Sequence, residues 1–266
     1  MEFSHLVVNG CSFTYCQGLE DPATQGWPAL LSKKIGVPVV NLAIPGCGND
    51  AIMRTTYRYF YKNLRHHNNP LYIVVLSHSS RKEQFFRYRN GAEYYDYRGL
   101  VLDDKAMEAA TRRFVQPTIE LDKLYDILYA KQLDLDECER MKLTYAASIL
   151  NLFKAHNVSY LLSDYIPGHH DDLDKLKNDH PAMFEYVMSD AYKLEDFNRL
   201  TMNLPRLPCG HDGLEAQEVL AEYCYNEIIK RYGDVTHIAM PYTKLIESTQ
   251  SEFALKCWPH NPWLDV

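Results

Sequence analysis

The turn that follows the first apolar run contains a candidate nucleophile, Ser12, in the sequence NGCSFT. Gly10 precedes the serine and Phe13 follows it, so the hydroxyl would leave a buried strand at a sharp bend. Such a bend exposes a side chain and directs nearby backbone N–H groups toward it, as a serine nucleophile and its oxyanion hole require. A serine at this position also suits a helix cap or a simple turn, and in isolation it does not decide between these roles.

Two other segments follow apolar runs in the same way, AIPGCGND around Gly46 and SHSSR around Ser79. In an open parallel sheet, ligands bind beyond the carboxyl ends of the strands. If the three strands are neighbours, these segments would therefore surround one crevice. Arg54 and Arg81 lie close to these segments in the sequence, where each would either pair inside the protein or hold a substrate.

Alternating strands and helices are predicted to position these segments. Four apolar runs predict strands, namely HLVVNG, VPVVNLAIPG, PLYIVVLSH and VSYLLSDYI. Helical spacing predicts a helix near Pro28, a second capped by Asn49 or Asp50, and a final helix between Gly213 and Gly233. This order is typical of an α/β protein, and we expect a three-layer α/β/α sandwich with a mainly parallel sheet of about five strands.

The 266 residues suit a single domain, 1–266, with two insertions. The first, at about 81–113, is rich in Tyr, Phe and Arg, and would either stack on sugar rings or bases or form a lid that packs its own aromatics. The second, at about 167–206, is acidic and contains His169, His170 and His180, but the spacing matches no metal site and we expect no metal. We expect residues 234–266 to form an irregular C-terminal extension.

Charge and cysteine content restrict the partners and the compartment. The formal net charge of −7 disfavours nucleic-acid binding, because an acidic surface repels phosphates. No apolar run approaches the roughly 20 residues that a membrane-spanning helix needs, and no secretion signal is predicted. The seven cysteines are scattered without a CxxC pair, which argues against a disulfide framework. We expect a cytoplasmic protein that binds neither nucleic acid nor membrane; the oligomeric state stays open.

Three segments together resemble the sequence blocks of the SGNH/GDSL hydrolases. NGCSFT is similar to the GDS[LF] block, with Cys11 where Asp is commoner, and NLAIPGCGND to the second block, whose glycine would be Gly46. GHDGLEAQEVLAEY is similar to the last block, which places a histidine at the start of the C-terminal helix, here His211. The resemblance spans roughly residues 3–230 and implies a flavodoxin-like SGNH hydrolase fold, most like the members encoded by bacteriophages and bacteria.

The chemistry that this resemblance implies is acyl transfer to water without a cofactor. Ser12 would attack an ester carbonyl after His211 takes its proton, and the backbone N–H groups of Ser12 and Gly46 would bind the oxyanion. The implied substrate is a small acyl ester, such as an acetyl group on a carbohydrate-like acceptor. Asn49, Ser79 and Arg81 are the predicted substrate-binding residues.

One departure from the family pattern lies after the third strand. The family usually has GxND there, with an asparagine that donates to the oxyanion, whereas this chain has LSHSSR. Ser79 or His78 would have to substitute as the donor. Asn49, in a GND string after the second strand, would line the site or cap the helix.

The second departure concerns the acid that orients the histidine. Pro208 occupies the position, three residues before His211, where the family usually has Asp. A backbone carbonyl would then orient the imidazole, or Asp164 or Asp212 would supply the acid, although Asp212 is expected to point away. Loss of the acid lowers turnover by about 10⁴-fold in a serine-protease triad. The alternative hypothesis is therefore a binding or virion-associated structural protein that has lost efficient chemistry.

Overall fold

The computed structural model describes residues 2–63, 69–79, 81–87, 93–99, 135–165, 177–190 and 197–233. The strands are β1 (Leu6–Asn9), β2 (Val39–Asn41), β3 (Leu71–Leu76), β4 (Arg81–Arg87), β5 (Glu93–Gly99) and β6 (Ser159–Asp164). The helices are α1 (Ser12–Tyr15), α2 (Pro22–Gln25), α3 (Trp27–Ile35), α4 (Asn49–Asn63), α5 (Leu135–Ala155), α6 (Pro181–Asp190), α7 (Phe197–Thr201) and α8 (Leu214–Tyr232).

Four strands form a parallel sheet in the order β2–β1–β3–β6. Leu6 pairs with Val39 on one side and with Leu71 on the other, and Leu71 pairs with Ser159. The chain thus moves outward from β1 in one direction and then in the other, which is the strand order of flavodoxin-like sheets. The predicted parallel α/β sheet is confirmed, and four of the roughly five strands expected lie in the described part of the chain.

Side chains on the two faces of the sheet alternate along each strand, as a sheet covered on both sides requires. On one face, Val7 and Val74 pack with α4 and α5. On the other face, Val8 and Ile73 pack with α3 and α8. Because every residue of β1 and β3 is buried, both strands lack a polar face, which explains why they appear in the sequence as continuous apolar runs.

The insertion predicted at about 81–113 begins with a regular element that the sequence pattern did not indicate. β4 and β5 pair antiparallel from Arg81↔Gly99 to Arg87↔Glu93. The helix predicted from the sequence PTIELDKLYDILYAKQ lies outside the described residues, as do His169, His170 and the extension 234–266. The helix predicted near MFEYVMSDAYKL is present as α6.

The described ranges contain neither a membrane-spanning helix nor a cluster of metal-ligating side chains. None of their helices is both long and apolar enough to cross a bilayer. Nor do these ranges bring together three His, Cys, Asp or Glu side chains that could hold a metal ion.

Candidate active site

Ser12 lies at the carboxyl end of β1, where it begins the single-turn helix α1. Its side chain is 4% exposed, and its hydroxyl has no hydrogen bond to another described residue. The bend before it requires a glycine, because a Cβ at position 10 would lie 2.2 Å from Thr14 Oγ1 and 3.0 Å from the carbonyl oxygen of Val75. The sequence thus places this hydroxyl at the strand exit by close packing of Gly10 against α1 and β3.

Asn9, which the sequence analysis missed, fixes the end of β1 to helix α4. The two hydrogens of its buried amide nitrogen are shared among three acceptors, the hydroxyls of Thr55 and Thr56, both at 2.8 Å, and the carbonyl of Ile52 at 2.9 Å. Its side-chain oxygen accepts from the N–H of Gly10 at 2.9 Å. An asparagine at the end of an otherwise apolar strand was the available signal, since a buried amide needs partners.

The loop that contains Gly46 is bonded directly to the Ser12 turn. The N–H of Ile44 donates to the Gly10 carbonyl at 3.1 Å, and the Cys47 thiol donates to the same oxygen at 3.3 Å. The N–H of Cys47 closes a turn on the Ile44 carbonyl at 3.3 Å, with Pro45 second and Gly46 third at a φ of +78°. This is the pattern of a type II turn, whose third position favours glycine.

The two predicted oxyanion donors are unused by the protein backbone. Neither the N–H of Ser12 nor that of Gly46 donates to a backbone carbonyl within the described residues. The first N–H groups of a helix have no partner inside it, which accounts for Ser12. In a type II turn the N–H of the third residue is not part of the closing bond, which accounts for Gly46. Both groups are therefore available to a ligand oxygen.

His211 lies on a tight hairpin, and the prediction that it opens the C-terminal helix was wrong. The N–H of Leu207 donates to the His211 carbonyl and the N–H of Gly210 to the Leu207 carbonyl, both at 2.8 Å. Helix α8 begins only at Leu214. Pro208 occupies the second position of the turn, where its fixed φ is favoured. The place of the missing acid is therefore taken by a residue that builds the hairpin.

The His211 ring packs beside the Ser12 turn, with its centroid 4.8 Å from that of Phe13. Its Nδ1 is buried and has no hydrogen-bond partner among the described residues. Burial lowers the pKa of His211 below its usual 6.5, and the positive charges of Arg81 and Arg206 lower it further. The negative charge of Asp212 and a hydrogen bond to the Cys209 backbone raise it, but by less. A neutral imidazole near pH 7 can accept a proton, as a general base must.

Neither acid considered from the sequence is directed at the His211 ring. The buried carboxylate of Asp212 accepts from the Tyr165 hydroxyl at 2.7 Å and pairs with Arg206. Asp164 pairs with Lys142, and both side chains are almost completely buried. The expectation that Asp212 points away from the ring agrees with these contacts. Of the alternatives named from the sequence, a backbone carbonyl is the one left for orienting the imidazole.

A network around Tyr165 connects the serine turn to the histidine hairpin. The Tyr165 ring stacks on Phe13 with centroids 3.8 Å apart and an interplanar angle of 16°. Its hydroxyl donates to Asp212 and accepts from Arg206 at 2.9 Å. Arg206 and Asp212 also pair across the hairpin as a β-bridge. Phe13 thus stacks on this buried group and His211 is linked to it through Asp212, the next residue, an arrangement that no local sequence pattern indicated.

The three predicted substrate-binding residues lie near the exits of β2 and β3. Asn49 is buried, and its amide exchanges hydrogen bonds with the N–H of Ser77 at 2.7 Å and the carbonyl of Ser77 at 3.0 Å. Ser79 is 7% exposed, and Arg81 donates to the Ser77 hydroxyl at 3.3 Å. The amide of Asn49 therefore holds the β3 exit in place. Binding of substrate by any of the three stays a prediction.

The cysteines near Ser12 are poor candidates for a thiol nucleophile. Cys11, Cys16 and Cys47 are all buried. Burial raises the pKa of Cys16 to about 12 and raises that of Cys47 well above its usual value. A thiol is nucleophilic as the thiolate, so these two groups are inert at neutral pH. Cys11, Cys16 and Cys47 therefore serve as small packing residues of the buried core.

Comparison with known proteins gives one family and several distant structural likenesses. Residues 17–192 match the model of a family of unknown function (DUF6071), and no curated protein matches the chain. The esterase EstA from Pseudoalteromonas sp. has a similar structure, with 11% identity over 87% of this chain and 100% of its own and a TM-score of 0.48.

Two further solved structures are similar at the same level. A lipolytic protein of the G-D-S-L family from Desulfitobacterium hafniense DCB-2 is 12% identical over 84% of this chain and 98% of its own, with a TM-score of 0.45. The acetylxylan esterase Axe2 from Geobacillus stearothermophilus is 15% identical over 85% and 94%, with a TM-score of 0.38. TM-scores this low support no inference about chemistry, which must come from the residues of this chain.

Proposed function

We propose that this chain, which belongs to the DUF6071 family of unknown function, is a serine hydrolase that cleaves a small acyl ester. The proposal rests on the residues of the chain itself. The observation that supports this most is the place of His211. Its ring lies against Phe13, the residue after Ser12, although 199 positions separate Ser12 from His211 in the sequence (211 − 12). The Nδ1 of an ordinary surface histidine would be hydrated, whereas Nδ1 of His211 is buried and has no hydrogen-bond partner among the described residues. A buried nitrogen without a partner is unusual and calls for a functional explanation.

In the proposed reaction the imidazole of His211 takes the proton of Ser12 Oγ as that oxygen attacks the ester carbonyl carbon. The negative charge that develops on the carbonyl oxygen is bound by the N–H groups of Ser12 and Gly46. The imidazolium then gives its proton to the leaving alcohol, which leaves an acyl group on Ser12. Water, deprotonated by the same imidazole, releases the acid and restores the serine. No cofactor takes part in these steps.

The finer identity of the substrate rests on the resemblance of the sequence blocks. That resemblance favours a small acyl group, with acetyl on a carbohydrate-like acceptor as the specific proposal. Asn49, Ser79 and Arg81 are the residues assigned to binding. Of these, Ser79 and Arg81 have polar groups that could reach a ligand, whereas the Asn49 amide is already bonded to the backbone of Ser77.

A second candidate function is favoured by one observation: no hydrogen bond joins Ser12 to His211. Asp164 and Asp212 are also both occupied elsewhere. A protein that kept the fold for binding, without efficient chemistry, would show the same contacts. Catalytic hydrogen bonds are often long or absent until substrate is bound, so this geometry does not by itself exclude the hydrolase.

Labelling with a fluorophosphonate, together with hydrolysis of p-nitrophenyl acetate, tests the proposal. We expect labelling of the folded protein at Ser12 only, and Ser12→Ala or His211→Ala should abolish it and lower turnover by about 10⁴-fold or more. The matched control is Ser4→Ala, because Ser4 Oγ lies 2.8 Å from Nδ1 of His5 in another Ser–His pair. A folded wild-type protein that neither reacts with the probe nor hydrolyses the ester would overturn the hydrolase and leave the binding protein.

A further inference from the structure

Arg81 is the charged residue that acts most strongly on the pKa of His211. Among the charges that act on the His211 pKa, that of Arg81 has the largest influence, ahead of the adjacent Asp212 and of Arg206. Burial, Cys11 and Asp50 raise the pKa of Cys47, in the loop that contains Gly46, and the same guanidinium acts against this rise. The Arg81 backbone packs against Gly48, two residues after Gly46, so its side chain starts beside the Gly46 loop, and its positive charge acts on the His211 ring.

The guanidinium of Arg81 lacks a counter-ion within the part of the chain that the structure describes. Its hydrogen-bond partner there is a neutral hydroxyl, Ser77 Oγ at 3.3 Å. Two other described cations near this edge of the sheet are paired, Arg206 with Asp212 and Lys142 with Asp164. A partly buried guanidinium has five donors and no acceptor, so most of its hydrogen-bonding capacity is left for a ligand.

The backbone around Arg81 is held firmly. Its N–H donates to the His78 carbonyl at 3.2 Å, which closes a turn after β3. Its own carbonyl lies so close to Gly48 that a Cβ there would be 2.4 Å from it. Asn49 holds Ser77 through two hydrogen bonds to the Ser77 backbone. The backbone that carries the guanidinium is thus held in place by hydrogen bonds and close packing. A residue that binds a ligand requires such positioning, whereas a solvated surface arginine does not.

Anionic oxygen groups match this arrangement best. Carboxylate, phosphate and sulfate accept two parallel hydrogen bonds from a guanidinium, and such charge-assisted bonds are about twice as strong as neutral ones. Ser79, in the same turn and 7% exposed, adds a hydroxyl without a hydrogen-bond partner among the described residues. An ester without a charge would leave the guanidinium unpaired beside the reacting atoms, which is costly in a partly buried position.

We infer that Arg81, with the hydroxyls of Ser77 and Ser79, forms an anion subsite beside Ser12 and His211, and that the substrate is an ester bearing a carboxylate, phosphate or sulfate group. The statement about the substrate rests on the proposed hydrolase activity. The statement about anion binding does not, because an anion can bind to Arg81 in a protein without any turnover.

Titration of the His211 ring by NMR, with and without sulfate, tests the subsite without reference to activity. Sulfate bound at Arg81 offsets the positive charge near His211, so the pKa of the ring should rise, whereas chloride at equal ionic strength should leave it unchanged. In Arg81→Gln the pKa should be higher from the start and insensitive to sulfate. Arg81→Lys should keep part of the response, and Lys33→Gln, an exposed lysine on α3, should keep all of it.

Two results of this titration would overturn the subsite. One is a wild-type His211 whose pKa does not respond to sulfate. The other is a response in Arg81→Gln as large as in the wild-type protein, which would mean that sulfate binds elsewhere.

A pair of esters separates the subsite from the hydrolase. We expect kcat/KM for mono-p-nitrophenyl succinate to exceed that for p-nitrophenyl acetate by about tenfold, and Arg81→Gln to remove the difference mainly through KM. Equal rates in both proteins would contradict the anionic substrate. Failure to hydrolyse either ester, with the sulfate response intact, would contradict the hydrolase but leave the anion subsite standing.

Discussion

Two Ser–His pairs lie at opposite edges of the parallel sheet, Ser4–His5 at the amino edge and Ser12–His211 at the carboxyl edge. The hydrogen-bonded pair is the one at the amino edge, which has fewer groups that could stabilise a reaction. At the amino edge, Ser4 Oγ and His5 Nδ1 are 2.8 Å apart in adjacent residues. At the carboxyl edge, Ser12 and His211 come from distant segments and form no hydrogen bond with each other. A short Ser–His distance therefore does not identify a nucleophile in this molecule.

The surroundings of the two pairs explain the difference. The backbone of Ser4 and His5 bonds to Asn69 and Leu71 in the approach to the sheet, so these groups are part of the strand ladder. Around Ser12, by contrast, two backbone N–H groups have no backbone acceptor among the described residues, and the positive charge of Arg81 lowers the pKa of His211. Oxyanion stabilisation depends on such preorganised donors and on charge near the reacting atoms. The carboxyl edge has both, and parallel sheets generally bind ligands there.

Of the substitutions that test the role of the carboxyl edge, Asp212→Ala is expected to change stability and Ser12 labelling most. The change leaves the Arg206 guanidinium without its buried partner and removes the acceptor of the Tyr165 hydroxyl. We expect a loss of about 3 kcal/mol in the free energy of unfolding, measured by urea denaturation. Fluorophosphonate labelling of Ser12 should fall, because the histidine hairpin loses its support.

The control for Asp212→Ala is Asp21→Ala, which removes the exposed cap of α2 and should cost about 1 kcal/mol with labelling unchanged. If Asp212→Ala labelled as fast as the wild-type protein at equal folded fraction, the network would not position the pair.

An intermediate effect is expected from Gly10→Ala. The new methyl group would overlap Thr14 on α1, so the chain must shift at the serine turn, at a cost of about 2 kcal/mol in the free energy of unfolding. Gly233→Ala, where a Cβ meets open space, should also cost about 2 kcal/mol, but through the backbone alone, because its φ of +76° and ψ of −171° are open essentially only to glycine.

Calorimetric or chemical denaturation of the two glycine variants gives the comparison directly. Labelling of Ser12 should slow in Gly10→Ala and not in Gly233→Ala. Wild-type stability and wild-type labelling in Gly10→Ala would mean that the turn at Gly10 adapts, and that its close packing does not fix Ser12.

The smallest effect concerns the pH dependence of turnover. Because burial and Arg81 lower the pKa of His211, the neutral base should persist below pH 6.5, so the acid limb of kcat/KM should fall at a pH lower than 6.5. Asp212→Asn removes a charge that raises this pKa and should move the limb to still lower pH, measured on the fraction that stays folded. An acid limb above pH 6.5 would mean that the base is not His211 in this environment.

The parts of the fold that follow from local periodicity were predictable. Continuous apolar runs identified β1, β2, β3 and β6, and their alternation with helices implied the parallel sheet. Helices α1 and α2, of four residues each, escaped notice because a single turn is too short to show a 3.6-residue period. Ser12 could be proposed because a strand exit is visible in the sequence.

Contacts between remote segments were not predictable in the same way. Tyr165 and Asp212 are 47 positions apart, and their hydrogen bond depends on how β6 and α8 pack on the sheet. The Leu207–His211 hairpin has a local signal in the sequence, Pro208 followed by Cys209 and Gly210. In the comparison with the family pattern, Pro208 indicates only a missing acid. Arg81 was placed near the site from the sequence, whereas the lack of a counter-ion among its described neighbours is a property of the packed structure.

The cysteines offer a means of observing the hairpin that holds His211. Of the six described thiols, Cys209 is exposed and the other five are buried. Cys209 sits in the turn itself, with its sulfur packed over Gly18, where a Cβ would be 2.5 Å away. In a Cys257→Ser background, a fluorophore attached to the native Cys209 would report the approach of this hairpin to the serine turn in real time, without an engineered attachment point.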